Sequence, residues 1–185
     1  MDLNELRNRA YKNACEHGFH EQEYSDDRYL MLVICELAEA VEADRKGKHA
    51  SIYSFSSSMD AYIDTQASEK TRVNITEELF FLSVFEAYIK DSVEDELADT
   101  VIRLLDLAGL RGIDLSEVTV ADTCLDMPFP IRIFNIVSEL YNTPLEIAID
   151  DVLFDIFSYC KYVKVDLLWH IEMKLKYNEI VMYGE

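Results

Sequence analysis

Two short acidic words stand far apart in the chain, Glu36-Leu37-Ala38-Glu39 and Glu96-Leu97-Ala98-Asp99. Each sets two carboxylates at i and i+3, which are neighbours on one face of an α-helix. Four carboxylates from two helices, brought together, make an all-oxygen ligand set suited to a hard divalent cation. At roughly 100° per residue, Tyr29, Leu30, Val33, Leu37 and Val41 form an apolar stripe beside Glu36, with Glu39 on its other side. Val93, Leu97, Val101, Leu104, Leu107 and Ala108 form the matching stripe beside Glu96, and Asp99 falls where Glu39 did. If the stripes pack together, the carboxylate pairs converge at the margin of a core. Glu-x-x-Glu is common on ordinary amphipathic helices, so either word alone is weak. The matched pair gives the pattern its weight.

Other chemistries find little support. With five glycines in the chain, neither G-x-G-x-x-G nor G-x-x-x-x-G-K-[ST] occurs, so phosphate is not cradled by a glycine-rich loop. No serine stands in G-x-S-x-G. His17, His20 and His49 show no zinc-ligand spacing. Cys15, Cys35, Cys124 and Cys160 form no C-x-x-C and read as reduced thiols of a cytoplasmic protein.

The elements that must position the carboxylates are helical. Scarce glycine and three prolines argue against an all-β chain, and long Leu/Ala/Glu/Ile segments predict an all-α fold. Helices are predicted over 2–17, from Ser25 to about 44, over 76–90, over 92–108 and over 131–141. Thr143-Pro144-Leu145-Glu146 starts a further helical pattern that runs to about 181, with a break near 163–166. The serine-rich stretch 47–75 reads as a mobile loop with one short helix near 59–67, and 116–165 as a helical insert. The 185 residues are expected to form one domain.

A net charge of −19, from 36 acidic and 17 basic residues, repels nucleic-acid phosphate. No signal-like N-terminus and no apolar run of about 18 residues is present, so no membrane association is expected. Arg45, Lys46 and Lys48 follow the first acidic helix and are candidates to meet distal phosphates, or simply offset its dipole. Trp169 is a candidate to stack on a base, though a lone tryptophan in a helix is more often core.

The stretches CELAEAVEADRKGK and EDELADTVIRLLDLAGLRGIDL resemble the two motif helices of the all-α NTP pyrophosphatase superfamily, which includes MazG-like proteins and dimeric dUTPases. Lys174-Leu-Lys-Tyr-Asn178 resembles that family's Lys-x-x-x-Asn. The resemblance covers roughly residues 1–46, 90–115 and 165–180. Cys35 stands where the family often has a first glutamate, and Glu179, Ile180 and Val181 stand where an arginine often follows.

The resemblance implies a MazG-like helical bundle, here with an inserted loop and an extra helical hairpin. It implies a nucleotide pyrophosphohydrolase that cleaves a (d)NTP to a (d)NMP and pyrophosphate and clears the nucleotide pool. Glu36, Glu39, Glu96 and Asp99 would be the catalytic and metal residues, holding Mg²⁺, or Mn²⁺ in its place. Lys174 and Asn178 would contact phosphate and sugar or base. A homodimer or dimer of dimers is implied as well. The alternative is a non-catalytic acidic helical protein that binds a nucleotide or a partner on the same scaffold.

Overall fold

Side-chain caps fix several helix starts. Asp2 Oδ1 accepts from the N–H groups of Asn4 and Glu5, Thr76 Oγ1 from Leu79, and Ser92 Oγ from Asp95 at 3.2 Å. Gly47 and Gly112 end two helices in the left-handed region, at φ 63° and 67°. The computed structural model describes residues 2–67 and 74–182. Its eight helices are α1 (Leu3–Glu16), α2 (Asp26–Lys46), α3 (Ile52–Ala67), α4 (Glu77–Tyr88), α5 (Val93–Arg111), α6 (Phe129–Asn142), α7 (Leu145–Tyr162) and α8 (Leu167–Met182). The fold is all-α, with no strand among the described residues. None of these helices is long and apolar enough to cross a membrane.

Helix α5 is the hub, packing against α1, α2, α7 and α8. Its Leu97, Val101, Leu104, Leu105 and Ala108 are fully enclosed, and the stripe read beside Glu96 is the face that makes the core. On α2, Val33 and Leu37 meet it from the stripe read beside Glu36, and Ala40 joins them. The hairpin α6–α7 adds Ile136, Ile149, Val152 and Leu153 to the same cluster, so the 116–165 segment is part of the main core.

Residues 47–75 differ from the expectation of a loop with a short helix. Helix α3 begins at Ile52, because Phe55, Met59 and Tyr62 recur at helical spacing and close on α4. The serines between them lie on the other sides of that helix. The part of the expected loop at 68–73 lies outside the described residues. Together α3 and α4 build a second cluster on Phe55, Phe81, Phe85 and Ile89. Helix α8 is sandwiched between the two clusters: Leu167, Ile171 and Leu175 face the first, and Trp169, Met173 and Tyr177 face the second. A helix buried on two sides loses the single apolar stripe of a surface helix. The break expected near 163–166 is the turn that separates α7 from α8.

Helices α1 and α5 approach closely at Gly109, where an added Cβ would stand 2.5 Å from Tyr11 Cβ and 2.9 Å from its Cγ. Tyr11 Cβ is tied to its backbone and cannot swing away. The Gly109→Ala variant gains about 1 kcal/mol of helix propensity, yet overpacking costs about 1–3 kcal/mol. Thermal unfolding should therefore show a lower Tm for Gly109→Ala than for the wild type, and an unchanged or higher Tm would refute the close approach.

Candidate functional site

Packing of α2 on α5 brings three of the four motif carboxylates together. One oxygen each from Glu36, Glu39 and Glu96 lies within 4.8 Å of the others. Glu36 and Glu96 are buried, at 8% and 4% exposure, while Glu39 opens to solvent. Arg103, two turns along α5 from Glu96, donates from Nε to Glu36 Oε1 at 2.5 Å. Among the described residues, the carboxylates of Glu39 and Glu96 have no hydrogen-bond or ion-pair partner. Burial, then the charge of Asp95, pushes Glu96 up to about 8, against the pull of Lys174. Burial also raises Glu36, with Arg103 opposing. Three clustered carboxylates with one guanidinium between them are short of positive charge. All their donors are oxygen, the set that suits Mg²⁺ or Mn²⁺.

The fourth carboxylate, Asp99, sits at the edge of this group and is tied to α8. Lys174 Nζ lies 2.7 Å from Asp99 Oδ2 and 3.0 Å from Asp95 Oδ2. Burial alone would lower the lysine; Asp99 and Asp95 outweigh it and raise it, so the group stays an ammonium. Asp95 is 1% exposed and also accepts the Asp91 N–H at 2.9 Å. Burial lifts its carboxyl to about 6, with Lys174 pulling the other way. Removing one member of such a buried pair costs about 3–5 kcal/mol, because the other charge is left without a partner.

Beside the carboxylates lies a cavity of about 250 Å³, lined by Asn13, His17, Asp99, Arg103, Lys174 and Asn178. Phe19, half exposed, is part of its wall. His17 Nε2 is buried without a partner. The side-chain amides of Asn13 and Asn178 make no hydrogen bond to the described residues. One end of the cavity is thus charged, and the rest presents unused donors and acceptors. A buried polar atom without a partner costs about 1–3 kcal/mol, and a bound polar molecule relieves it. A wider cleft of about 770 Å³ near Tyr62, Ile63 and Leu79 has none of the motif carboxylates in its lining.

Two candidate substrate contacts lie elsewhere. Trp169 packs edge-on against Phe55, with ring centroids 5.4 Å apart, inside the second apolar cluster. It does not line the cavity that Lys174 and Asn178 line. Lys46 is exposed at the end of α2 and pairs with Glu42 at 3.2 Å, one turn back on its own helix. Arg45 pairs with the same glutamate. Four residues of the site were not singled out from sequence: Asp95, Arg103, Asn13 and His17. For Asp95 the available signal is its position one residue before Glu96. Arg103 is at i+4 from Asp99, the spacing of a same-face neighbour.

No family model matches the chain, and neither a curated protein nor a solved structure matches it.

The crowded carboxyls set the pH dependence of stability. Unfolded, Asp95 and Glu96 titrate near the usual 3.8 and 4.5; folded, they keep protons up to about 6 and about 8. The folded state therefore binds more protons across that window, and stability falls as pH rises from about 4.5 to 8. Chelator-treated protein should melt highest near pH 5 and lose several degrees by pH 8, since about 2–4 °C accompanies each kcal/mol at this size. Glu96→Gln should flatten the profile. A Tm that climbs between pH 5 and 8 would contradict the burial of these acids.

Proposed function

We propose that this chain is a divalent-cation-dependent nucleoside triphosphate pyrophosphohydrolase of the MazG-like kind, cleaving a (d)NTP to a (d)NMP and pyrophosphate in nucleotide-pool clearance. One observation supports this above the rest. The acidic words of α2 and α5 meet beside a cavity to which α8 contributes both Lys174 and Asn178. Glu36, Glu39 and Glu96, with Asp99 at their edge, are the residues that would hold the cation. Bound there, Mg²⁺ or Mn²⁺ supplies Lewis acidity to the phosphate under attack and activates water.

The chain's own groups divide the remaining work. Arg103 and Lys174 each pair with carboxylates at the charged end, where phosphate oxygens can take over as partners. A lysine acts there as a point charge and an arginine as a directed fork. Asn13, His17 and Asn178 offer hydrogen bonds to a sugar or base, and Phe19 an apolar face. The burial of Glu36 and Glu96 limits water around the reacting bond and strengthens each electrostatic contact. Ile131, Phe134 and Tyr141 leave α6 with a strongly exposed apolar face. That face supports self-association, as a homodimer or a dimer of dimers, which light scattering in solution tests.

Pyrophosphate release from a panel of nucleoside triphosphates, with and without Mg²⁺, is the test. At least one nucleotide should be turned over only with the cation. Glu39→Gln and Asp99→Asn should each lower the rate more than about 100-fold. Asn13→Ala and His17→Ala should instead raise KM about 5- to 30-fold, the loss of one hydrogen bond to a bound molecule. Mg²⁺ binding without turnover of any nucleotide would replace catalysis with binding alone.

A further inference from the structure

We propose that a cavity on the α6–α7 hairpin docks a basic peptide segment of a partner protein, one that carries lysine or arginine beside apolar residues. This cavity shares no residue with the acidic words of α2 and α5 or with the cavity beside them. It holds about 430 Å³ between α6, α7 and the segment that precedes α6. Leu125, Arg132, Glu139, Asp151, Phe154 and Asp155 are in its wall.

Three carboxylates there stand against one guanidinium. Arg132 donates from Nη1 to Asp155 Oδ1 at 2.6 Å, so that charge is answered within the protein. The carboxylates of Glu139 and Asp151 have no hydrogen-bond or ion-pair partner among the described residues. Burial and then the charges of Asp155 and Asp151 raise the Glu139 carboxyl, so the acids feel one another. The open demand on this side of the cavity is for positive charge.

Arg132 makes a second, different demand. It is 3% exposed, and its Nη2 donates to the Leu125 carbonyl at 2.6 Å. Its Nε is buried and has no partner. The guanidinium stands over the Tyr159 ring, 5.0 Å from the centroid, so one of its faces is covered. The group is planar, so the Nε–H lies in the plane of the two nitrogens that bond to Asp155 and Leu125, both of them wall residues. A buried donor without an acceptor is rare in folded proteins and calls for a missing partner. That partner is an acceptor oxygen.

One ligand has to bring a cation for Glu139 and Asp151 and an acceptor for Arg132. A metal ion or a free polyamine brings charge but no acceptor. A simple anion brings acceptors, but the carboxylates repel it. A peptide brings both: its backbone carbonyls accept, and a lysine or arginine side chain supplies the charge. The rim also leaves apolar surface to cover, with Leu125 75% and Phe154 40% exposed. The methylene stem of a lysine or arginine, and apolar neighbours in the segment, suit that surface. A second copy of this chain suits it less, because its net charge is −19.

Fluorescence polarisation of a short labelled peptide of alternating lysine and leucine, titrated with the full chain, tests the docking site. The peptide should bind, and an analogue with glutamine in place of lysine should not. Glu139→Gln combined with Asp151→Asn, both at exposed positions, should weaken binding about tenfold. Asp60→Asn combined with Asp64→Asn removes the same charge from an exposed part of α3 and should leave binding unchanged. The NMR signal of the Arg132 Nε–H should shift on addition of the peptide and stay in place with spermidine. Equal losses from the two pairs of substitutions would mean bulk attraction to an acidic surface and overturn the proposal. Displacement of the peptide by an equal concentration of spermidine or free arginine would overturn it in favour of a small cation. Absence of peptide binding would overturn it outright.

Discussion

One ammonium group, Lys174 Nζ, connects the parts of this molecule that have to work together. It reaches from α8 to Asp95 and Asp99 on α5 at 3.0 and 2.7 Å, in a place where neither Lys174 nor Asp95 meets much water. Asp95 in turn accepts the Asp91 N–H just before α5. The same contact thus fixes the entry of α5, the seating of α8 on α5 and the direction in which Asp99 points. A buried pair of this kind gives little stability over an apolar replacement, but losing one partner is costly. Its effect is on arrangement: α8 must sit at the height on α5 that matches lysine to aspartates, and that height also puts Asn178 on the cavity beside Asp99.

The first turn of α5 shows how carboxylates can be enclosed next to one another. Glu94, Asp95 and Glu96 follow in sequence and all are buried. The unpaired N–H groups at a helix start favour negative charge there, but that field is worth only about 0.3–1 kcal/mol for a typical exposed side chain. Each acid therefore needs its own answer. Glu94 accepts from the Ala50 N–H and pairs with His49, at 2.9 Å in both cases. Asp95 has Lys174. The Glu96 carboxylate accepts no hydrogen bond from the described residues, and of the three its carboxyl is pushed highest. A group left this way is either protonated or, on the reading proposed above, turned toward a cation that Glu36 and Glu39 across the gap on α2 would share.

The order of helices was legible because it depends on local signals. Caps at Asp2, Thr76 and Ser92, glycines at 47 and 112, and the turn at 163–166 each act within a few residues. The acidic words were legible for the same reason, since i and i+3 fix a shared face whatever the tertiary fold. Helix α3 was not, because serine is a poor helix former by itself. Only packing of Phe55 and Tyr62 against α4 decides the matter. The partners of the carboxylates were hidden more deeply. Arg103 reaches Glu36 across 67 residues and Lys174 reaches Asp95 across 79. Lys174 stood out only by its spacing to Asn178 and Arg103 only by its spacing to Asp99, and neither signal names the distant carboxylate that each meets. Trp169, five residues before Lys174, took the commoner of its two readings: its ring packs into the α3–α4 cluster.

That division of α8 into two faces explains why the site lies where it does. The helix is held on one side by the main core and on the other by the α3–α4 cluster, so its apolar residues have no freedom to rotate. Lys174 and Asn178 fall on the seam between these faces, one turn apart. A seam is wet enough for a ligand to enter and dry enough that charges interact strongly. It is also a place where an acidic chain could meet a polyanion. With a net charge of −19, the surface as a whole repels phosphate. At the seam the balance is local: carboxylates from two helices, one buried ammonium and one guanidinium. Cations entering there would reverse the sign of the field over a few ångströms while the rest of the molecule stays repulsive. An excess of acid elsewhere is then compatible with phosphate chemistry, provided the phosphate arrives with its cations or finds them already held by the carboxylates.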